Sequence, residues 1–261
     1  MDEQPLGTMT PAARASDTLG TRGAKWLVLA VVLAAAGLIY LGTSNSGGSA
    51  VPLPAPTQDS MAGDASAPRS AVFAGGCFWG VQAVFQHTQG VLNAVSGYAG
   101  GQAETARYER VASGQTGHAE AVQVTYDPQQ ISYGKLLQIY FSVAHDPTEV
   151  NRQGPDYGTQ YRSAIFYRSA EQQQMAERYM AELEAARVFP RKIATQLTPL
   201  QAFYPAEAHH QDYATLNPHS PYIATYDRPK IASLQQMLPE VYRASPVLVA
   251  SQATAAGIGG R

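Results

Sequence analysis

The sequence predicts an α+β domain: a two-layer mixed β-sheet with flanking helices and a nucleophile at a helix N-terminus. Three patterns lead there. A short apolar run at 71–74 (AVFA) stops at Gly75-Gly76 and passes directly into a segment where Phe78, Val81, Val84 and Phe85 recur at the helical spacing, with Cys77 at the junction. Residues 120–126 (EAVQVTY) alternate with the period of a strand and close at Asp127-Pro128. Helix-like and strand-like stretches are mixed along the chain without strict alternation, which favours an α+β or mixed-sheet arrangement of two layers.

Taken in order, residues 91–98 read as a strand ending in the glycines Gly97, Gly100 and Gly101. In the strand at 120–126, Val122, Val124 and Tyr126 share one face and Ala121 lies on the other. Residues 132–143 form a helix that Ser132 is placed to cap, with Leu136, Leu137, Ile139 and Tyr140 as its apolar positions. Residues 162–167 are a further strand, and 170–187, rich in Glu, Gln, Ala and Met, a helix with a solvated charged face. A strand at 195–200 and a short helix at 206–216, stopped by Asn217-Pro218, complete the series.

The folded domain spans 70–243. Residues 42–69 are rich in Gly, Ser, Pro and Ala without an apolar period and read as a flexible linker, while 244–261 read as a disordered tail. Residues 26–41 (WLVLAVVLAAAGLIYL) carry no charge and lie at the short end of a membrane span. Arg14, Arg22 and Lys25 precede the run and no basic residue follows before Arg69. By the positive-inside rule, 1–25 are cytoplasmic and the rest is exported. The run is either an inner-membrane anchor, with the catalytic domain on the periplasmic side, or the apolar region of a signal whose cleavage would use the small residues near Gly48 and Ala50.

Composition narrows the function. With 18 basic and 20 acidic residues the formal net charge is −2, so nothing recommends a nucleic-acid partner. The single cysteine, Cys77, excludes an intrachain disulfide, a multi-cysteine zinc site and a CxxC pair within these 261 residues. At a helix start, unpaired backbone N–H groups favour an anion, which predicts a thiol shifted toward thiolate. Phe78 and Trp79 place apolar surface beside it, fit for a methyl or methylene group. Glu120 points to the core side of its strand. Buried there it would stay protonated and act as a general acid, although singly it also reads as a solvated strand end. The loop from His145 through Asp156 and Tyr161 is long and polar, the kind that carries function, but each of these residues, like Tyr108, is unremarkable alone. The adjacent pair His209-His210 points about 100° apart on a helix and makes a poor metal site.

Together, GGCFWG at 75–80, YAGG at 98–101, TGHAEAVQVTYDP at 116–128, HDPT at 145–148 and NRQGPDYGTQYRSAIF at 151–166 resemble the A-type peptide methionine sulfoxide reductases, over about 70–230. The resemblance implies reduction of the S epimer of methionine sulfoxide, free or in proteins, with no bound cofactor. It assigns Cys77 as the nucleophile, Phe78 and Trp79 as the pocket for the substrate's methyl group, and protonated Glu120 as donor to the oxygen. Tyr108 and Tyr161 would assist by hydrogen bonding, and Asp156 would sit nearby. Many members carry resolving cysteines; here Ala112 occupies one such position and the segment beyond Tyr222 has none. The resemblance therefore requires an external thiol: a thioredoxin-like protein, glutaredoxin or glutathione, or a small thiol. The expected enzyme is a monomer. Two other readings use the same residues: a hydrolase with Cys77 and a base at His118 or His145, and a non-catalytic tethered module gripping methionine through Phe78 and Trp79.

Overall fold

The computed structural model describes Met1 and residues 50–59 and 67–249, and the architecture below is that of the unit Ser46–Arg261. Its main sheet is built from β1 (Arg69–Gly75), β2 (Val91–Ala99), β3 (Ala119–Tyr126), β6 (Ser163–Tyr167), β7 (Gln196–Pro199) and β8 (Phe203–Pro205), and a separate two-stranded hairpin pairs β4 (Arg152–Gln153) with β5 (Asp156–Tyr157). The order across the six-stranded sheet is β7-β6-β1-β3-β2-β8. β6 and β7 run parallel and every other pair in it is antiparallel, so the sheet is mixed. The helices are α1 (Phe78–Gln86), α2 (Tyr108–Val111), α3 (Tyr133–Ile139), α4 (Ala170–Ala185), α5 (Tyr213–Leu216) and α6 (Arg228–Met237).

Strand alternation sorts the core into two. Phe73, Val122, Val124 and Tyr126 face the helices, where Val84 and Phe85 of α1, Leu136 and Leu137 of α3 and Tyr179 of α4 close over them. The ring of Phe73 stacks on Phe85 at 5.2 Å and on Tyr140 at 5.0 Å between centroids. Each fully buried side chain of this size contributes about 1.5–3 kcal/mol of transfer free energy. The opposite face carries Val72, Ala74, Ala119, Ala121 and Phe166, packed under Leu200 and Phe203. Small residues there let the return segment lie close to the sheet.

Ser132 caps α3, accepting from the Lys135 N–H at 3.0 Å, and the helix widens into a π turn at Tyr140–Ala144. The expected helix at 206–216 is broken. A 3₁₀ turn (Ala208–His210) and α5 are separated by Asp212 at φ 59°. Tertiary hydrogen bonds hold that break: the Asp212 N–H donates to Gln82 Oε1 at 2.9 Å, and its carboxylate accepts from Gln86 Nε2 at 2.6 Å. β8 and α6 have no counterpart in the sequence reading, although Pro229 in the first turn of α6 is a helix-start signal.

The flexible-linker reading of 42–69 is corrected over 50–59. Val51 and Leu53 are buried in the main core. The Val51 N–H donates to Ser142 O at 2.9 Å, Gln138 Nε2 to Leu53 O at 2.6 Å and Tyr179 Oη to Pro54 O at 2.8 Å. Apolar residues among the prolines find a groove between α3 and α4, which no local pattern reveals. The tail reading is likewise corrected at its start, where the Val247 N–H donates to Gln86 O at 3.1 Å. Residues 1–25 beyond Met1, the apolar run 26–41 and the end of the tail lie outside the described residues. Among those described, no helix is long and apolar enough to cross a membrane.

The packing of this strap is open to measurement. Leu53→Ala is expected to lower the unfolding free energy by about 2 kcal/mol, the low end for a core leucine, in urea denaturation; an unchanged midpoint would return 50–59 to the status of a tether.

Candidate active site

Central strand β1 delivers the chain to Gly75-Gly76. Gly76 takes φ 88°, and a Cβ there would stand 2.5 Å from the Gln153 side chain, so only glycine passes this turn. Cys77 follows as the N-cap of α1, half-buried and with a free thiol. On the adjacent strand β3, Glu120 is buried and its Oε2 accepts the Phe78 N–H at 3.0 Å. A helix-start donor and a strand carboxyl are thereby joined beside the thiol.

Burial pushes the Glu120 carboxyl up to about 8, with the Asp156 and Asp227 charges adding, against the downward pull of the Phe78 N–H. It is therefore protonated at neutral pH. The thiol departs from the sequence expectation. Burial raises it well above the ordinary thiol range and Glu120 and Asp227 raise it further, outweighing the Trp79 N–H and Lys230, which pull down. The helix N-terminus favours thiolate, but desolvation next to two carboxyl groups wins.

Tyr108 and Tyr161 complete the group. Burial, then Glu120 among the neighbouring groups, pushes both phenols up, so both hydroxyls are hydrogen-bond donors at neutral pH. Tyr108 is the more exposed, and its N–H donates to Glu207 Oε1 at 2.9 Å while Tyr98 Oη donates to Glu207 Oε2 at 2.8 Å. Asp156, on the β4–β5 hairpin, accepts from the Tyr222 hydroxyl; burial raises its carboxyl, partly offset by that bond and by Lys230. The aromatic side is split. Phe78 is 1% exposed, its ring enclosed by Tyr98 and His210. Trp79 is half-buried and stacks on Tyr213 at 3.9 Å, with Tyr222 edge-on at 6.0 Å. A cleft of about 200 Å³ opens on Cys77 and is lined by Gln153, Asp156, Tyr222, Tyr226 and Lys230.

A family model, "Peptide methionine sulfoxide reductase", matches residues 69–241. The chain belongs to the peptide methionine sulfoxide reductase family. Peptide methionine sulfoxide reductase MsrA 2 of Mesorhizobium japonicum is 56% identical over 182 residues, covering 70% of this chain and 93% of the relative. MsrA of Thermus thermophilus is 48% identical over 173 residues, covering 66% of this chain and 97% of its own. Among solved structures, reduced Mxr1 of Saccharomyces cerevisiae aligns with a TM-score of 0.56 at 34% identity, over 62% of this chain and 93% of that one. Methionine sulfoxide reductase A of Corynebacterium diphtheriae gives 0.52 at 34% identity, over 66% and 86%. The mixed sheet with flanking helices is the fold these reductases share.

The hydrolase alternative lacks its base. His118 Nδ1 accepts from the Gly101 N–H at 3.2 Å, and its Nε2 lies 2.9 Å from Gln102 O. His145 has Tyr140 O at 3.1 Å and Ser163 Oγ at 2.7 Å on its two nitrogens, and burial drives it down to about 3. Both rings are structural. Among the described residues, no group of three or more His, Cys, Asp or Glu is placed to hold a metal ion. Tyr222, Tyr213, Asp227 and Lys230 are site residues the sequence reading missed, because they return to Cys77 from a segment with no local motif.

Two measurements probe this geometry. Glu120 is raised on folding from an ordinary 4.5 to about 8, so its contribution to stability is present below about 4.5 and is lost as pH rises through about 8. Glu120→Gln should flatten that part of the stability–pH profile, and an unaltered slope would mean the carboxyl is not held protonated. Gly80→Ala would bring a Cβ to 2.1 Å from Asp227 Oδ1. It is expected to destabilise the protein in thermal melts even though alanine is favoured in a helix by roughly 1 kcal/mol; a gain of that size would show that Asp227 yields freely.

Proposed function

We propose that this protein is a peptide-methionine (S)-S-oxide reductase that returns methionine S-sulfoxide, free or in proteins, to methionine and so repairs oxidised proteins. The observation that carries the reading is the buried Glu120 carboxyl, pushed up to about 8 and held by the Phe78 N–H beside Cys77. Reduction of a sulfoxide needs a nucleophile for sulfur and a proton for oxygen, and these two groups are the pair that supplies them.

In the proposed step the Cys77 sulfur bonds to the sulfoxide sulfur while Glu120 gives its proton to the oxygen, with the Tyr108 and Tyr161 hydroxyls as further donors. The thiol proton restores Glu120. The oxygen passes to Cys77, which is oxidised by two electrons to the sulfenic acid, and methionine leaves as the reduced thioether. Phe78 and Trp79 with their aromatic neighbours form the apolar wall for the methyl group, and Asp156, tied to Tyr222, holds the polar side. With one cysteine in these 261 residues, the sulfenic acid is met by an external thiol, from a thioredoxin-like protein, glutaredoxin or glutathione, or a small thiol. The enzyme acts as a monomer, fastened to the inner membrane by 26–41 with its domain on the periplasmic side; the basic residues before that run support this orientation.

After one turnover without reductant, mass analysis should find Cys77 one oxygen atom heavier and one methionine released, from the S sulfoxide and not the R. Cys77→Ser should abolish turnover and Glu120→Gln should lower kcat about 10²- to 10⁴-fold, the worth of a positioned proton donor. Intact reduction by Cys77→Ser would sink the reading, whereas binding without turnover in the wild type would favour a methionine-gripping module. Membrane fractionation of the full chain against a chain lacking 26–41 tests the anchor: the full chain should pellet, and recovery of both in the soluble fraction would refute it.

A further inference from the structure

The turn beyond Tyr222 carries a buried ion pair that the sulfoxide step does not require. Asp227 is 0% exposed, Lys230 Nζ lies 3.3 Å from its Oδ1, and 13% of the lysine side chain reaches solvent. The second carboxylate oxygen, Oδ2, is buried with no hydrogen-bond partner. Such a pair is expensive to desolvate and adds little stability for its burial. Its location is specific. Gly80 leaves open the space where a Cβ would stand 2.1 Å from Asp227 Oδ1 and 2.8 Å from Lys230 Nζ, so the pair sits on the first turn of the nucleophile's own helix. Lys230 also lines the cleft that opens on Cys77.

We propose that Lys230, held by Asp227, is a positioning residue for the nucleophile, its ammonium stabilising the Cys77 sulfur as a thiolate when an external thiol regenerates the enzyme. This rests on the sulfenic-acid reading of Cys77. In regeneration the first thiol sulfur bonds to Cys77 Sγ, the S–O bond breaks, and the oxygen leaves as water with the sulfenic proton and the proton of the attacking thiol. A second thiol, attacking as its thiolate after its proton has passed to solvent, then bonds to the outer sulfur of the mixed disulfide. The S–S bond breaks, an external disulfide forms, and the electron pair returns to Cys77 Sγ, whose departure is faster the better its thiolate is stabilised. Two carboxyl groups facing that sulfur oppose negative charge on it, Glu120 from β3 and Asp227 from the segment leading into α6, and Asp156 of β5 lines the same cleft; the hydroxyls of Tyr108 on α2, Tyr161 on the 3₁₀ turn Thr159–Tyr161 and Tyr222 are uncharged at neutral pH. His145, packed against Gly75, is neutral. Lys230 is the cation whose charge reaches the thiol and pulls it down.

The test is alkylation of the full chain by iodoacetamide across pH, read by intact mass, with neither sulfoxide nor reductant present. Lys230→Met should move the midpoint up by about one pH unit, as for loss of a nearby opposite charge; Lys230→Arg should leave it in place, and Asp227→Asn should move it down. Removal of a merely structural pair shifts both variants the same way or neither, and either result overturns the proposal. Lys230→Gln replaces the methionine variant if that one fails to fold, with the same expected direction. Under saturating methionine S-sulfoxide, the dithiothreitol-dependent kcat of Lys230→Met should fall about tenfold and that of Lys230→Arg should be retained. An unchanged kcat would overturn the assignment to regeneration. A wild-type protein that fails to reduce the sulfoxide would refute the reductase reading instead, leaving the alkylation result to stand or fall separately.

Discussion

The bond from the Phe78 N–H to Glu120 Oε2 is the contact on which the arrangement of the site depends. It ties the first turn of α1 to β3, the neighbour of the strand that delivers Cys77. The antiparallel register of β1 and β3, with Phe73 opposite Val122, brings the end of one strand to the beginning of the other, so Cys77 and Glu120 emerge at the same edge of the sheet. One carboxyl thus satisfies a helix-start donor that would otherwise be buried unpaired and, in the step proposed above, gives the proton.

That economy has an electrostatic cost. A helix start alone would favour a thiolate. Here the site is closed by aromatic rings and shared with Glu120, Asp156 and Asp227, and the thiol is driven up rather than down. A neutral thiol next to a neutral carboxylic acid suits a substrate that is itself uncharged, because no full charge is buried before the sulfur–sulfur bond forms. The same environment resists formation of a free thiolate. A partly buried cation at the cleft answers that need, which gives a physical reason for Lys230 to stand where a neutral residue would pack more cheaply.

Segments remote in sequence hold this chemistry in place. Residues 50–59 run across α3 and α4, and the Val247 N–H reaches Gln86 O at the far end of α1. Both ends of the described domain therefore fasten the layer that carries Cys77. The last helix contributes more than cover, since the turn leading into it supplies Tyr222 to Asp156 and places Asp227 against Gly80.

The sequence by itself determined the strands and helices whose side-chain period is set by neighbours in the chain. The Gly75-Gly76-Cys77 junction, the alternation that turns Glu120 with Val122 and Val124, and the Ser132 cap are local facts and are legible as such. The single cysteine of these 261 residues likewise identifies their sole thiol. Only the tertiary structure decided what depends on distant groups meeting. It broke the helix at Asp212 with hydrogen bonds from Gln82 and Gln86, drew 50–59 into the core, and brought Tyr222, Asp227 and Lys230 to a sulfur about 150 residues away. It also reversed the expected shift of Cys77, because a thiol's ionisation is set by the charges and the burial around it, and those are properties of the assembled fold.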